Sequence, residues 1–142
     1  MKDQEPQIII YKSEDGKISV DTLMKDESLW LSQKMMAMLF DCTPENILMH
    51  LQNIYETGEL DEKATAKEYL VVQKEGNREV SRDIKHYNLD AIISVGYRIN
   101  SISGTQFRIW ATQRIKEYLT QGFSLNEAKL KTGKTTEYFD KL

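Results

Sequence analysis

The chain has 142 residues, 40% of them hydrophobic and 29% charged, which is the composition of one globular domain and not of a disordered or fibrous protein. Its one cysteine, Cys42, excludes a disulfide framework and a cysteine-based zinc site within one chain. No apolar run approaches the ~20 residues that a membrane helix needs, and the N-terminus lacks the apolar stretch of a signal peptide. We therefore expect a cytoplasmic protein with no metal, cofactor, membrane or small-molecule ligand.

The net charge of −3 argues against indiscriminate nucleic-acid binding, but the charge is unevenly distributed along the chain. Residues 1–73 carry 7 basic and 14 acidic side chains, whereas residues 74–122 carry 8 basic and 5 acidic ones. The middle of the chain can therefore present a positive face. The simpler interpretation is that these charges only solvate the surface.

The first predicted elements are two short strands, residues 7–11 and 17–20, joined by a turn at Asp15-Gly16. They form a small β-hairpin. Residues 21–28 are polar and are predicted to be a loop.

Residues 33–40 and a segment that begins at Pro44 have the apolar spacing of two helices. Ser32 and Thr43 are the predicted N-caps, and the second helix is predicted to end near Gly58. About three residues join the two helices, which predicts a helix-turn-helix. The apolar face of the second helix is assigned to Ile47, Leu48, Leu51, Ile54 and Tyr55.

Residues 68–73 have the composition of a strand, residues 75–77 supply turn residues, and residues 78–87 can return as the partner strand. A hairpin after a helix-turn-helix is a wing, and its basic side chains suit phosphate contact. A hairpin that only covers the core is an equally good interpretation. The basic residues of this segment are Lys74, Arg78, Arg82 and Lys85.

Asn88 is predicted to cap a helix over residues 89–100, and residues 101–104 are predicted to be a turn. The longest predicted helix covers residues 105–121, and Gly122 suits the position after it. A short helix and tail at residues 124–142 are expected to lead to a further C-terminal region. The inward-facing residues of the longest helix are predicted to be Phe107, Trp110, Ala111, Ile115, Tyr118 and Leu119.

The second helix of the predicted pair leaves Asn46, His50 and Asn53 on one face. An exposed asparagine can pair with adenine, and histidine can contact guanine or phosphate. The positive N-terminus of this helix, with Thr43, can hold one phosphate. The helix carries no lysine or arginine. The alternative is therefore that Met49 packs against the protein and that the polar side chains of this face are only solvated.

Arginine and amide side chains flank the predicted turn at residues 101–104. They can converge on an anion, because arginines beside a helix N-terminus form an anion site. Ion pairs of Arg98 and Arg108 with Asp90 or Glu117 are the alternative. The cluster consists of Arg98, Gln106, Arg108 and Arg114.

Catalytic motifs are absent from the sequence, which contains no GxGxxG, GxxxxGK[ST], GxSxG, HExxH or CxxC. Cys42 has no histidine near it in the sequence. Asp83 and His86 are three residues apart on a predicted strand, so they are expected to face opposite sides. We expect no catalytic site.

The stretch HYNLDAIISVGYRINSISGTQFRIWATQRIKEYLTQGFSLNE, residues 86–127, resembles the signature of the RhuM family of bacterial virulence-associated proteins. The FRIWAT segment, residues 107–112, is also loosely similar to the F-x-x-W-V element of phage antirepressor and Bro-N DNA-binding domains. That similarity implies DNA binding and inward-facing roles for Phe107 and Trp110. Further stretches that resemble the RhuM family lie at residues 8–20, 29–40, 50–62 and 71–82, so the resemblance covers nearly the whole chain.

The predicted fold is α+β, with a winged helix-turn-helix-like core, two small β-hairpins and a long C-terminal helix. Residues 1–123 are predicted to form one domain. Its parts are an N-terminal hairpin and loop at 1–28, the helix-turn-helix at 29–58, the wing at 66–87 and the C-terminal helices at 88–122.

The predicted function is binding of double-stranded DNA, as a homodimer or as one module of a larger protein. The alternative is a protein–protein interaction module with a vestigial helix-turn-helix, which the acidic first half of the chain favours; an enzyme acting on nucleic acid is a minor third interpretation. Base-edge contacts are assigned to Asn46, His50 and Asn53, and Gln106 joins the candidate set. Phosphate contacts are assigned to Lys34, Thr43, Arg78, Arg82, Arg98 and Arg108.

Overall fold

A computed structural model of the chain describes residues 7–131, with side chains from residue 7 to residue 120. These residues form an α+β fold with a five-stranded antiparallel sheet and five helices. The last of the five helices is the longest. In chain order the elements are β1 (Gln7–Lys12), β2 (Ser19–Lys25), β3 (Ser28–Ser32), α1 (Gln33–Phe40), α2 (Pro44–Glu56), α3 (Glu62–Thr65), β4 (Ala66–Glu75), β5 (Arg78–Tyr87), α4 (Leu89–Ile99) and α5 (Ser101–Lys131).

The two predicted hairpins are confirmed as local structures. In the β1–β2 hairpin the connecting turn contains Gly16 with a φ of 75°. In the β4–β5 hairpin ten residue pairs are in register, and Gly76 in the turn has a φ of 63°. Both glycines adopt a left-handed conformation that a side chain would disfavour.

The predicted loop at residues 21–28 is wrong, because β2 continues to Lys25 and β3 begins at Ser28. Asp26 and Glu27 connect the two strands with φ values of 52° and 58°. Positive φ at both central residues is what a two-residue hairpin turn requires. The sequence signal for this turn is weak, because asparagine and glycine usually occupy such positions.

Strand β3 joins the two hairpins, which the prediction treated as separate, into one sheet of order β1-β2-β3-β5-β4. It pairs with β2 at Leu23↔Trp30 and with β5 at Leu31↔Tyr87. Its side chains are buried on both faces: Leu31 joins the main core, and Trp30 packs with Leu23 and Tyr69 in a second cluster. This strand therefore lacks the apolar–polar alternation of a half-buried strand.

The three predicted N-caps are confirmed. The Ser32 hydroxyl accepts from the backbone N–H of Met35 at 3.2 Å, and the Thr43 hydroxyl accepts from the N–H of Asn46 at 3.1 Å. The Asn88 side chain accepts from the N–H of Ala91 at 3.2 Å. Each bond satisfies a backbone donor that a helix start otherwise leaves unpaired.

The predicted turn at residues 101–104 is wrong, because α5 begins at Ser101. The Asn100 side chain accepts from the N–H groups of Ile102 and Ser103 at 3.1 and 3.2 Å, as an N-cap does. Gly122 does not end the helix, and the first part of the segment predicted as a separate short helix and tail, residues 124–131, belongs to α5. The rest of the predicted tail, residues 132–142, lies outside the described residues.

Helices α4 and α5 approach each other closely at two glycines. A Cβ atom on Gly96 would lie 2.7 Å from Cζ of Phe40 and 3.1 Å from the Cα of Gly104. A side chain at this position would push the helices or the Phe40 ring apart. Glycine is therefore required here by close packing.

Phe107 of α5 lies at the centre of the core, fully buried, with its ring 5.1 Å from that of Tyr11 and 5.6 Å from that of Trp110. Two predicted inward-facing residues are instead exposed: Leu119 by 43% and Leu48 by 39%. Leu119 is about 120° around the helix from Phe107, which turns it away from the core.

Candidate nucleic-acid interface

Helices α1 and α2 are joined by a short, defined connection. Asp41 ends α1 in the left-handed conformation, with a φ of 53°, and Thr43 then caps α2. The Gln33 side chain donates to the carbonyl oxygen of Pro44 at 2.7 Å, which ties the start of α1 to the start of α2. The relative placement of the two helices is therefore fixed by hydrogen bonds as well as by apolar packing.

The polar face of α2 is partly accessible. Asn53 is exposed, whereas Asn46 and His50 are half-buried at the border of the apolar face. The buried side chains of the same helix are Ile47, Leu51 and Ile54. The three candidate base-contacting residues thus lie on one flank of α2, and none of them is inside the core.

The opposite flank of α2 lines a groove of about 840 Å³ that the sequence did not predict. Pro44 and Leu48 contribute to its wall, together with α1, the β4–β5 hairpin and the start of β2. Asn46 is two residues from each of these, and two residues turn a helix by about 200°. The groove and the predicted base-contacting face therefore lie on different sides of α2.

His86 lines this groove, although it is only 1% exposed. Its Nδ1 lies 2.7 Å from the carbonyl oxygen of Ile84, so the neutral ring donates there and leaves Nε2 as an acceptor. Nε2 is buried and has no hydrogen-bond partner within the described structure. Burial lowers the pKa of His86, against the opposing effect of the Ile84 carbonyl.

The groove could not be predicted from the sequence because it is formed by residues that are far apart in the chain. Asp21, Ser32, Leu48, Val71 and His86 all belong to its lining, and no local pattern links them. The alternation of side chains on β5 was the one sequence signal for the position of His86. It places His86 and the exposed Asp83 on opposite faces of the strand, as predicted.

The basic side chains of the β4–β5 hairpin are partly engaged by carboxylates. The guanidinium of Arg82 makes two hydrogen bonds to Glu75, at 2.7 and 2.9 Å, and these bonds lower the pKa of the Glu75 carboxyl. Lys85 is bonded to Glu62 of α3. Arg78, by contrast, is exposed at the tip of the hairpin next to the turn.

The predicted cluster around residues 101–104 does not converge on one point. Arg98 donates to Glu59 at 2.7 Å, and Arg108 donates to the hydroxyl of Tyr97 at 3.2 Å. Arg114 pairs with Glu117 one helical turn away. Gln106 is half-buried on α5.

The remaining candidates are exposed. Lys34 lies in the first turn of α1, at the rim of the groove, and the Thr43 hydroxyl is used as the cap of α2. Within residues 7–131 no group of three or more His, Cys, Asp or Glu side chains is placed to hold a metal ion. None of the described helices is both long enough and apolar enough to cross a membrane.

Comparison with known proteins identifies a family. The model of the virulence protein RhuM family matches residues 64–142, a span that contains both the β4–β5 hairpin and the stretch at residues 86–127. No curated protein and no solved structure matches the chain. The similarity to Bro-N domains therefore stays a prediction. Because the match extends over more than half of the sequence, the chain belongs to the RhuM family of virulence proteins.

Proposed function

We propose that this RhuM-family chain binds duplex DNA through α2 and the β4–β5 hairpin. The observation that carries the proposal is the element order. Strand β3, helices α1 and α2, and the β4–β5 hairpin follow one another, and β3 pairs with β5. This order is typical of winged helix-turn-helix domains, and it supports the interpretation of the hairpin as a wing.

The accessible flank of α2 is the proposed base-contacting surface. Asn46, His50 and Asn53 supply amide and imidazole groups suited to purine edges. Because α2 has no lysine or arginine, affinity for the phosphate backbone must come from neighbouring elements. The N-terminus of α2 and the exposed Lys34 of α1 are two candidates for these contacts.

The wing supplies further positive charge from Arg78 and Arg82. The Arg82–Glu75 ion pair is exposed, and ion pairs of this kind contribute little to stability. A phosphate can therefore replace the carboxylate of Glu75 as the partner of Arg82. Arg98 and Arg108 are assigned a secondary role, since each already has a hydrogen-bond partner.

Titration of the full chain against a random-sequence duplex, followed by fluorescence anisotropy at low and moderate salt, tests the proposal. The Arg78→Ala/Arg82→Ala variant should bind more weakly, and its salt dependence should be shallower by about one unit of slope for each phosphate that it no longer neutralises. Glu75→Gln should bind more tightly, because it frees Arg82 and removes a negative charge.

The matched control is Lys12→Ala/Lys17→Ala, which removes the same charge from the β1–β2 hairpin. It should bind DNA nearly as well as the wild type. Absence of binding at low salt, or an equal weakening in the wing variant and the control, would overturn the proposal.

A second candidate, a protein-interaction module, is favoured by exposed apolar side chains on the helix pair. Met38, Leu48 and Met49 are exposed by 50%, 39% and 48%, and Glu45 lies beside them on α2. An apolar patch with acidic surroundings suits a protein partner better than DNA. In this case Met38→Ser/Met49→Ser should abolish cross-linking to a partner, whereas Arg78→Ala/Arg82→Ala should not.

A further inference from the structure

Strand β4 lies at the edge of the sheet, after β5 in the strand order of the described residues. It is ten residues long, and its outer side presents backbone groups that a further strand can pair with. Leu70 and Val72 on this strand are exposed by 66% and 62%. A long edge strand with exposed apolar side chains is a surface suited to strand addition.

The sequence of β4 is complementary to itself when it is read against a second, antiparallel copy. With Val71 opposite Val71 of the second copy, Leu70 lies opposite Val72. In the same register Glu68 lies opposite Lys74, and Lys67 lies opposite Glu75. Leu70, Val71 and Val72 thus meet apolar residues, each of these flanking charges meets its opposite, and Tyr69, which is buried against Trp30, lies opposite Gln73.

The faces of the strand agree with this register. Successive side chains alternate between faces, so Glu68, Leu70, Val72 and Lys74 share one face. A two-fold axis through Val71 would place four apolar side chains side by side on that face, with an ion pair at each end. A register centred one residue away, on Leu70, places Glu68 opposite Val72 and loses these ion pairs.

We propose that two copies of this chain associate by antiparallel pairing of their β4 strands, centred on Val71, into one continuous ten-stranded sheet. We assign the partner as a second copy of this chain because, in this register, the acidic side chains of one β4 strand lie opposite the basic side chains of the other. The proposal is independent of the proposed function, since the association needs no nucleic acid.

Sedimentation-velocity runs on the full chain over a range of concentrations, without DNA, measure the association. In the dimer of the Glu68→Lys variant, a lysine faces Lys74 at both ends of the interface. In the dimer of the Lys74→Glu variant, a glutamate faces Glu68 at both ends. Each variant should weaken the dimer about tenfold. The double variant Glu68→Lys/Lys74→Glu restores opposite charges and should recover the wild-type affinity.

An equimolar mixture of the two single variants should also form a heterodimer, because its charges are complementary at both ends. Lys116→Glu, an exposed charge reversal on α5, is the control and should dimerise like the wild type. Far-UV circular dichroism checks that each variant is folded. A wild type that stays monomeric, single variants that dimerise normally, or a double variant that is not rescued would each overturn the proposal.

Discussion

The helix-packed core and the β4–β5 hairpin use their apolar residues in opposite ways. In the core, Met36, Ile92 and Phe107 are fully buried between the sheet and the helices. In the hairpin, Leu70 and Val72 remain exposed by more than 60%. The hairpin is anchored by its strand pairing and by the buried rings of Tyr69 and Tyr87, whereas Leu70 and Val72 contribute little to its packing. Truncation of a buried core residue and of an exposed hairpin residue should therefore affect stability very differently.

The comparison predicts a large contrast between two truncations. Phe107→Ala should lower the free energy of unfolding by about 3–5 kcal/mol, because it leaves a cavity between Tyr11 and Trp110. Leu70→Ala should change it by less than about 0.5 kcal/mol in the monomer. Urea denaturation at low protein concentration measures both. Similar destabilisation of the two variants would show that the hairpin shares the core's stability.

A smaller effect is expected at the contact between α4 and α5. Gly96→Ala should destabilise the protein by about 1–3 kcal/mol, because the new methyl group meets the Phe40 ring. Helix propensity alone predicts the opposite sign, a stabilisation of about 1 kcal/mol. Thermal unfolding followed by circular dichroism gives the sign directly. A raised Tm would mean that the ring moves aside without cost.

The cap of α2 is expected to contribute about 1 kcal/mol. Thr43→Ala removes the acceptor for the Asn46 N–H and should lower stability by roughly that amount, whereas Thr43→Ser keeps the hydroxyl and should be close to neutral. Chemical denaturation of the two variants side by side is the measurement. Equal destabilisation would indicate that the threonine methyl group, and not the hydrogen bond, matters.

The smallest expected effect is a pH dependence from His86. Burial lowers its pKa in the folded state below the ordinary value of 6.5, so the unfolded chain binds its proton first as the pH falls. The stability that the neutral ring contributes is complete above about pH 6.5 and is lost as the pH falls from there towards the folded-state pKa. His86→Gln should show a flatter dependence of Tm on pH between about 7 and 5. An unchanged slope would exclude His86 as its source.

The features that the sequence predicted correctly are the local ones. Caps such as Ser32, Thr43 and Asn88 act on a backbone group three residues away, so their residue types suffice to locate helix starts. The glycine turns of the two hairpins are equally local. Helix caps and glycine turns could therefore both be predicted without any knowledge of tertiary contacts.

The features that were missed depend on contacts between distant residues. Strand β3 has no alternation because Leu31 and Trp30 enter different apolar clusters, and that is evident only when both faces of the sheet are known. The turn predicted after Asn100 was favoured by serine and glycine, but Gly104 is there for packing against α4. The groove around His86 likewise arises from segments that no local pattern relates.

The sequence predicted the helices and strands that carry the candidate site, but not their ion pairs. The helix pair and the hairpin were placed correctly, but the pairing of Arg82 with Glu75 and of Arg98 with Glu59 was not foreseen. Opposite charges are frequent along this chain, and many alternative partners lie within reach of a long side chain. Which pair forms is decided by the register of the strands and the path of the loop after α2.

The left-handed turn between β2 and β3 has a consequence for how the sheet comes apart. The Asp26 carboxylate accepts from Lys67 at 3.1 Å and from the hydroxyl of Tyr69 at 3.4 Å. The β2–β3 turn is therefore hydrogen-bonded to the edge strand β4, which lies beyond β5 in the sheet. Glycine would ease the bend but could not reach β4. Because Tyr69 of β4 also packs against Leu23 of β2 and Trp30 of β3, amide hydrogens in the β2–β3 ribbon and at the start of β4 should become exchangeable together, in one opening event.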